Sequence, residues 1–168
     1  PGRNSPRLRP GAQLPAFSLV NQDGTVFSER DLLGRPTVVT FIFTRCPVPE
    51  YCPLISGRFR EVQRAIVNNA SLRHVGLLSV TLDPAFDTPQ VLNAYGRAMG
   101  ADFTRWQLAT GSTDQVAVLT RAFAVHTERS GGSIDHTLAT ALVDGSGRVV
   151  EIWRGNTWET REVLDALG

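Results

Sequence analysis

Cys46 and Cys52 are the only thiols of the chain, and both sit in T-R-C-P-V-P-E-Y-C-P-L at residues 44–54. Three prolines stiffen that stretch, and it carries one acid, Glu50, and one base, Arg45. Two sulfurs six positions apart can serve as a structural staple, as a reversible redox pair, or as soft ligands for a metal ion. As a staple they achieve little. Closing so short a ring restricts the unfolded chain by roughly 2 kcal/mol in the loop-entropy model, and a domain of this size does not need a disulfide to fold.

The neighbouring elements favour chemistry. The apolar run T-V-V-T-F-I-F precedes the loop and reads as a buried strand, whereas Pro53 suits the first turn of a helix. Thioredoxin-like proteins keep their thiol pair in a strand-to-helix loop of this kind. First-turn N–H groups stabilise thiolate, so Cys52 is expected to have a lowered pKa, with Arg45 acting in the same direction if near. Two thiolates are too few for a closed zinc site. Two thiolates and an imidazole suit copper: Cu(I) favours soft sulfur, and Cu(II) accepts imidazole.

Three histidines are available. His74 opens an apolar strand and reads as an edge or surface residue, and His126 follows a helix with a surface role. His136, in S-I-D-H-T-L, lies between a Gly-rich loop and a buried strand, where a hydrogen-bonded loop histidine and a ligand are both reasonable readings. Asp135 beside it could orient the ring. Asp83 reads as a strand-ending turn residue, with a role near a metal or in docking a partner as the alternative; Asp87 reads as an acid before a helix.

The elements that must position these groups follow from periodicity. A-F-S-L-V and T-V-F-S flank N-Q-D-G as an N-terminal β-hairpin. Leu54, Phe59, Val62 and Ile66 share one face of a helix ending near N-N-A. H-V-G-L-L-S-V-T-L is a second buried strand. Thr88 and Pro89 start a helix that presents Val91, Leu92, Tyr95 and Met99 and ends at Gly100. R-W-Q-L-A is a short strand, and Ser112 with Gln115 forms a capping box ahead of Val116, Leu119 and Phe123. A last hairpin turns at D-G-S-G, and Thr157 opens a final helix with Val163, Leu164 and Leu167 inward. This order implies an α/β fold: a mixed sheet with helices on both faces, plus the N-terminal hairpin. The cysteine loop falls beyond the carboxyl end of a strand, where open α/β sheets bind ligands.

Residues 1–11 are polar and Pro-rich and read as a flexible tail; residues 12–168 form one domain. The absence of Met at Pro1 suggests a trimmed chain that has lost a signal or anchor. A net charge of +1 gives no reason to expect nucleic acid as a partner. All 17 basic residues are arginine, so lysine chemistry is excluded. No apolar run approaches the roughly 18 residues of a membrane span.

Several pieces together resemble the Sco family (Sco1/SenC): F-T-R-C-P…C-P-L after the strand, S-V-T-L-D-P-A-F-D-T-P, W-Q-L-A-T-G before a helix, and I-D-H-T followed by L-V-D-G-S-G-R-V. The resemblance runs from Leu14 to Leu167. It implies a thioredoxin-like sheet and one copper held by Cys46, Cys52 and His136. It further implies copper delivery to the Cu(A) subunit of cytochrome c oxidase, or service to another copper or thiol protein. A tether in the bacterial inner membrane, facing the periplasm, is part of the same expectation. The family's usual loop, C-P-x-x-C-P, has three residues between the thiols; this chain has Pro47, Val48, Pro49, Glu50 and Tyr51. That departure keeps a second reading open, a thiol–disulfide oxidoreductase using a reversible Cys46–Cys52 disulfide without tight metal binding.

Overall fold

Alternating apolar residues along the strands divide the interior into two layers, one on each side of a single sheet. The computed structural model describes residues 8–47, 49–125 and 138–168. Its strands are β1 (Ser18–Asn21), β2 (Val26–Ser28), β3 (Thr37–Ile42), β4 (Gly76–Thr81), β5 (Trp106–Thr110), β6 (Ala139–Val143) and β7 (Val149–Arg154). Its α-helices are α1 (Cys52–Asn68), α2 (Pro89–Met99), α3 (Thr113–Ala122) and α4 (Thr160–Leu167).

The strand order is β2-β1-β5-β4-β3-β6-β7. β3, β4 and β5 run parallel at the centre, and antiparallel partners flank them on both sides. This is the mixed, thioredoxin-like sheet expected from the sequence. β3 and β4 are buried at every position, which is why both read as mostly apolar, uncharged runs.

Val39, Phe41, Leu78 and Val80 point to the face covered by α3, through Val116 and Leu119, and by Leu14, Phe17 and Leu32. Val38, Ile42, Leu77 and Trp106 point to the face covered by Ile55, Phe59, Val62 and Ile66 of α1, Leu92 of α2 and Val163 of α4. Helices thus cover both faces, as expected.

Local signals placed most boundaries. Thr88 caps α2 with Pro89 in its first turn, and Gly100 closes it in the left-handed conformation. The Ser112–Gln115 capping box opens α3. Four expectations are corrected. α4 starts at Thr160 rather than Thr157, because Glu159 and Glu162 cap it. β4 starts at Gly76, leaving His74 exposed before it. Leu54 is 37% exposed and contributes little to the core; one turn in, Ile55 and Phe59 point inward instead. Residues 8–11 do not hang free as tail. Leu8 N–H donates to the Ala122 carbonyl at 3.0 Å, Gly11 N–H to the Val149 carbonyl at 2.7 Å, and Leu8 packs against the core.

Candidate dithiol and metal centre

β3 ends at Ile42, and the backbone turns at once: Cys46 N–H donates to the Phe43 carbonyl at 3.2 Å. Cys52 is the first residue of α1 and Pro53 the second, a position where a missing N–H leaves no gap in the helix ladder. The loop between them is tied down from outside, since Asn156 Nδ2 donates to the Glu50 carbonyl at 2.7 Å. No disulfide joins the two cysteines; Cys46 is half-buried and Cys52 fully buried. They are close enough to share a side-chain hydrogen bond. The fold therefore brings the two expected sulfurs together at the carboxyl end of the central strand.

The electrostatic setting differs from the expectation of an activated Cys52. Burial pushes the Cys52 thiol well above its ordinary value; a backbone hydrogen bond with Phe43 opposes this, while Cys46 and Asp87 add to it. Desolvation at a fully buried site outweighs what first-turn N–H groups can offer. Arg45 is engaged elsewhere. Its Nε and NH2 lie 3.0 and 2.8 Å from Asp83 Oδ2, and its guanidinium carbon sits 4.1 Å from the centre of the Phe86 ring. Asp83 is thus the partner of a loop arginine. Its own N–H donates to Thr81 Oγ1 at 2.9 Å, consistent with the strand-ending turn.

Two features escaped the residue-level reading. Asp87 is wholly buried and braces the loop: Thr44 N–H donates to it at 3.1 Å, Thr44 Oγ1 makes a short bond to it, and Thr81 Oγ1 donates at 2.6 Å. An acid ahead of a helix gives no hint of burial, because the threonines that satisfy it lie six and forty-three positions away. The second is Tyr95, whose hydroxyl pairs with Ser56 Oγ at 2.7 Å. Its pKa is pushed up to about 12, chiefly by burial; the Ser56 bond opposes this, and Cys52, Cys46 and Asp87 reinforce it. Ser56 lies one helical turn beyond Cys52, so the C-x-x-x-S spacing on α1 was a usable signal.

Among the described residues no three His, Cys, Asp or Glu side chains converge as a metal set. The expected third ligand, His136, lies outside the described residues, as do its neighbour Asp135 and His126. His74 is exposed at the far end of β4 and takes no part. The two thiols themselves suit a soft cation. A buried thiol that resists losing its proton to water can lose it to a metal whose charge compensates the sulfur. Among the described residues, no helix is long and apolar enough to cross a membrane.

Known proteins resemble this chain in sequence and fold. A Stutzerimonas stutzeri protein whose name marks it as a candidate copper binder is 34% identical over 142 residues, covering 80% of this chain and 67% of its own. The chain spans about two thirds of the length of the curated Rickettsia relatives it matches. The copper-bound structure of Arabidopsis thaliana ScoI aligns with a TM-score of 0.79 at 24% identity, covering 93% of this chain and 96% of that one. A SCO1/SenC family lipoprotein from Bacillus anthracis aligns at 0.80 and 23% identity, covering 94% of each chain. BsSco, described as a cytochrome c oxidase assembly protein with a disulfide switch, aligns at 0.79 and 23%, covering 96% and 95%. The SCO1/SenC family model matches residues 7–167, and with a thioredoxin-like sheet carrying both cysteines at its carboxyl end, the chain belongs to the SCO1/SenC family.

Proposed function

We propose that this chain is a copper-binding, redox-active protein that supports assembly of the Cu(A) centre of cytochrome c oxidase. Cys46 and Cys52 act as thiolate ligands and His136 as the third, holding one copper as cargo. The observation that carries this reading is the contact of two thiols, one fully buried, at the end of β3. Such a pair is a soft, preformed donor set of the kind Cu(I) prefers. The copper-bound ScoI structure and the named role of BsSco support the assignment by analogy.

Redox state and metal load are coupled in this scheme. Oxidising the two thiols to a disulfide releases two protons and passes two electrons to the acceptor, and it removes both sulfur ligands at once. The recipient is the Cu(A) subunit or another copper or thiol protein. The domain works in the bacterial periplasm, tethered to the inner membrane; the lipoprotein from Bacillus anthracis supports a tether.

Titration of the reduced chain with copper tests the proposal. One equivalent is taken up with a sulfur-to-Cu(II) charge-transfer band, and His136→Ala weakens both uptake and band. Absence of stoichiometric uptake overturns the metal role. A second reading, thiol–disulfide exchange without tight copper binding, is favoured by the same thiol contact. There the half-buried Cys46 meets the partner's sulfur, and Cys52 resolves the mixed disulfide. It predicts a reversible Cys46–Cys52 disulfide with a potential above about −300 mV and indifference to His136→Ala.

A further inference from the structure

We propose that the arginine-lined recess at the amino ends of β3 and β4 is a binding site for a phosphate group. The recess has a volume of about 400 Å³ and is lined by Gly34, Arg35, Arg73, His74, Thr104 and Arg105. It lies at the opposite end of β3 from the cysteines, about 20 Å away for a strand of six residues.

Two of its three arginine side chains, Arg35 and Arg105, are held in place by backbone carbonyls. Arg35 NH2 donates to the Thr104 carbonyl at 2.8 Å, and Arg105 NH1 to the Arg73 carbonyl at 3.0 Å. Arg35 Nε is buried with no acceptor among the described residues. It rests against Gly76, where a Cβ would come within 2.8 Å of it, so the arginine stem needs that glycine. Carbonyls orient guanidinium groups but bring no formal charge. The carboxylate at the rim, Asp102, accepts from Thr104 N–H and Oγ1 through Oδ1, and its Oδ2 lies 3.6 Å from Arg105 Nε. Three guanidinium groups thus face one acid. Burial lowers the pKa of Arg35, and Arg105 lowers it further against the partial offset of Asp102, as expected where positive charge is in excess.

Several planar N–H forks around one concavity match a tetrahedral oxyanion with more than one negative charge better than a single carboxylate. The recess is larger than one phosphate, which suits a phosphate carried on a larger molecule. A soluble phosphate compound and an anionic lipid headgroup share that chemistry.

Inorganic pyrophosphate titrated into the whole chain is the first probe, followed by calorimetry and by amide shifts of Gly34, His74 and Thr104. Saturable binding at these residues is expected, weakened about tenfold or more by Arg105→Gln and by Arg73→Gln. These two carry the test because Arg35→Gln can disturb packing on Gly76; circular dichroism checks that both fold. Vesicles of phosphatidic acid, a phosphomonoester, in phosphatidylcholine are the second probe. Co-sedimentation that Arg105→Gln removes, and that plain phosphatidylcholine does not support, assigns a headgroup. Pyrophosphate binding without vesicle binding assigns a soluble compound. No saturable binding of either probe, or binding unchanged by both substitutions, overturns the proposal. Alkylation of Cys46 and Cys52 stays unchanged in both variants, which keeps this result separate from the copper assignment.

Discussion

The two ends of β3 treat polar groups in opposite ways. At the carboxyl end a carboxylate is driven wholly inside and accepts from neutral donors: Thr44 N–H, Thr44 Oγ1 and Thr81 Oγ1. Around it the Cys52 thiol and the Tyr95 phenol are both held in their neutral forms by burial. At the amino end guanidinium groups keep their charge, border an open recess and lean on carbonyls. The groups around Asp87 are enclosed and internally satisfied; those of the arginine recess are open and charged. A low-dielectric setting makes each polar contact at the dithiol end costly to break, while solvent cushions loss at the arginine end.

Substitutions at the two ends should therefore differ sharply. The largest effect is expected for Asp87→Ala, which strands three donors inside the protein and lowers stability by about 3 kcal/mol or more in urea unfolding. A loss below about 1 kcal/mol would remove the distinction between the two ends. Next comes thiol reactivity. Half-buried Cys46 should be alkylated about tenfold or more faster than buried Cys52 in the folded chain, with the difference vanishing in denaturant, read by mass spectrometry. Equal rates in the folded state would show that Cys52 is not enclosed.

Tyr95→Phe is smaller, about 1 kcal/mol, because it leaves the Ser56 hydroxyl without its partner. It also has a pH signature. Between its ordinary value of 10.0 and about 12, Tyr95 keeps a proton in the folded chain that the unfolded chain loses. Stability accordingly falls as pH rises through that window, and Cys52, also raised, adds to the fall. Tyr95→Phe should flatten the Tyr95 share of that slope, and ultraviolet titration should find one phenol ionising late. The smallest change is expected for Arg105→Gln, under about 1 kcal/mol, since it removes one exposed ion pair at 3.6 Å and one bond to a carbonyl. A larger loss would mean that the arginine end is also structural.

The sheet was legible because β3 and β4 are mostly apolar and carry no charged residue, a pattern that suits a strand covered on both faces. Helix limits were legible where a local residue closes the terminus, as the Thr88 and Ser112 hydroxyls and the left-handed Gly100 backbone do. The Thr157 boundary failed because glutamates further on supply the capping box. Leu54 failed because an apolar residue beside a buried face need not join it.

By itself the sequence determined that a thiol pair follows a central strand, and the family, since these rest on local pattern and residue order. Only the tertiary structure decided how the thiols are tuned. Cys52 lies at a helix start, which alone argues for easy ionisation, yet α1, the sheet and Asp87 enclose it and reverse the sign. Likewise Arg45 was assigned to Asp83 and Phe86 by folding, away from the sulfur it precedes in the chain. Burial and long-range pairing are properties of how elements pack, and desolvation is what sets the protonation state of a buried group.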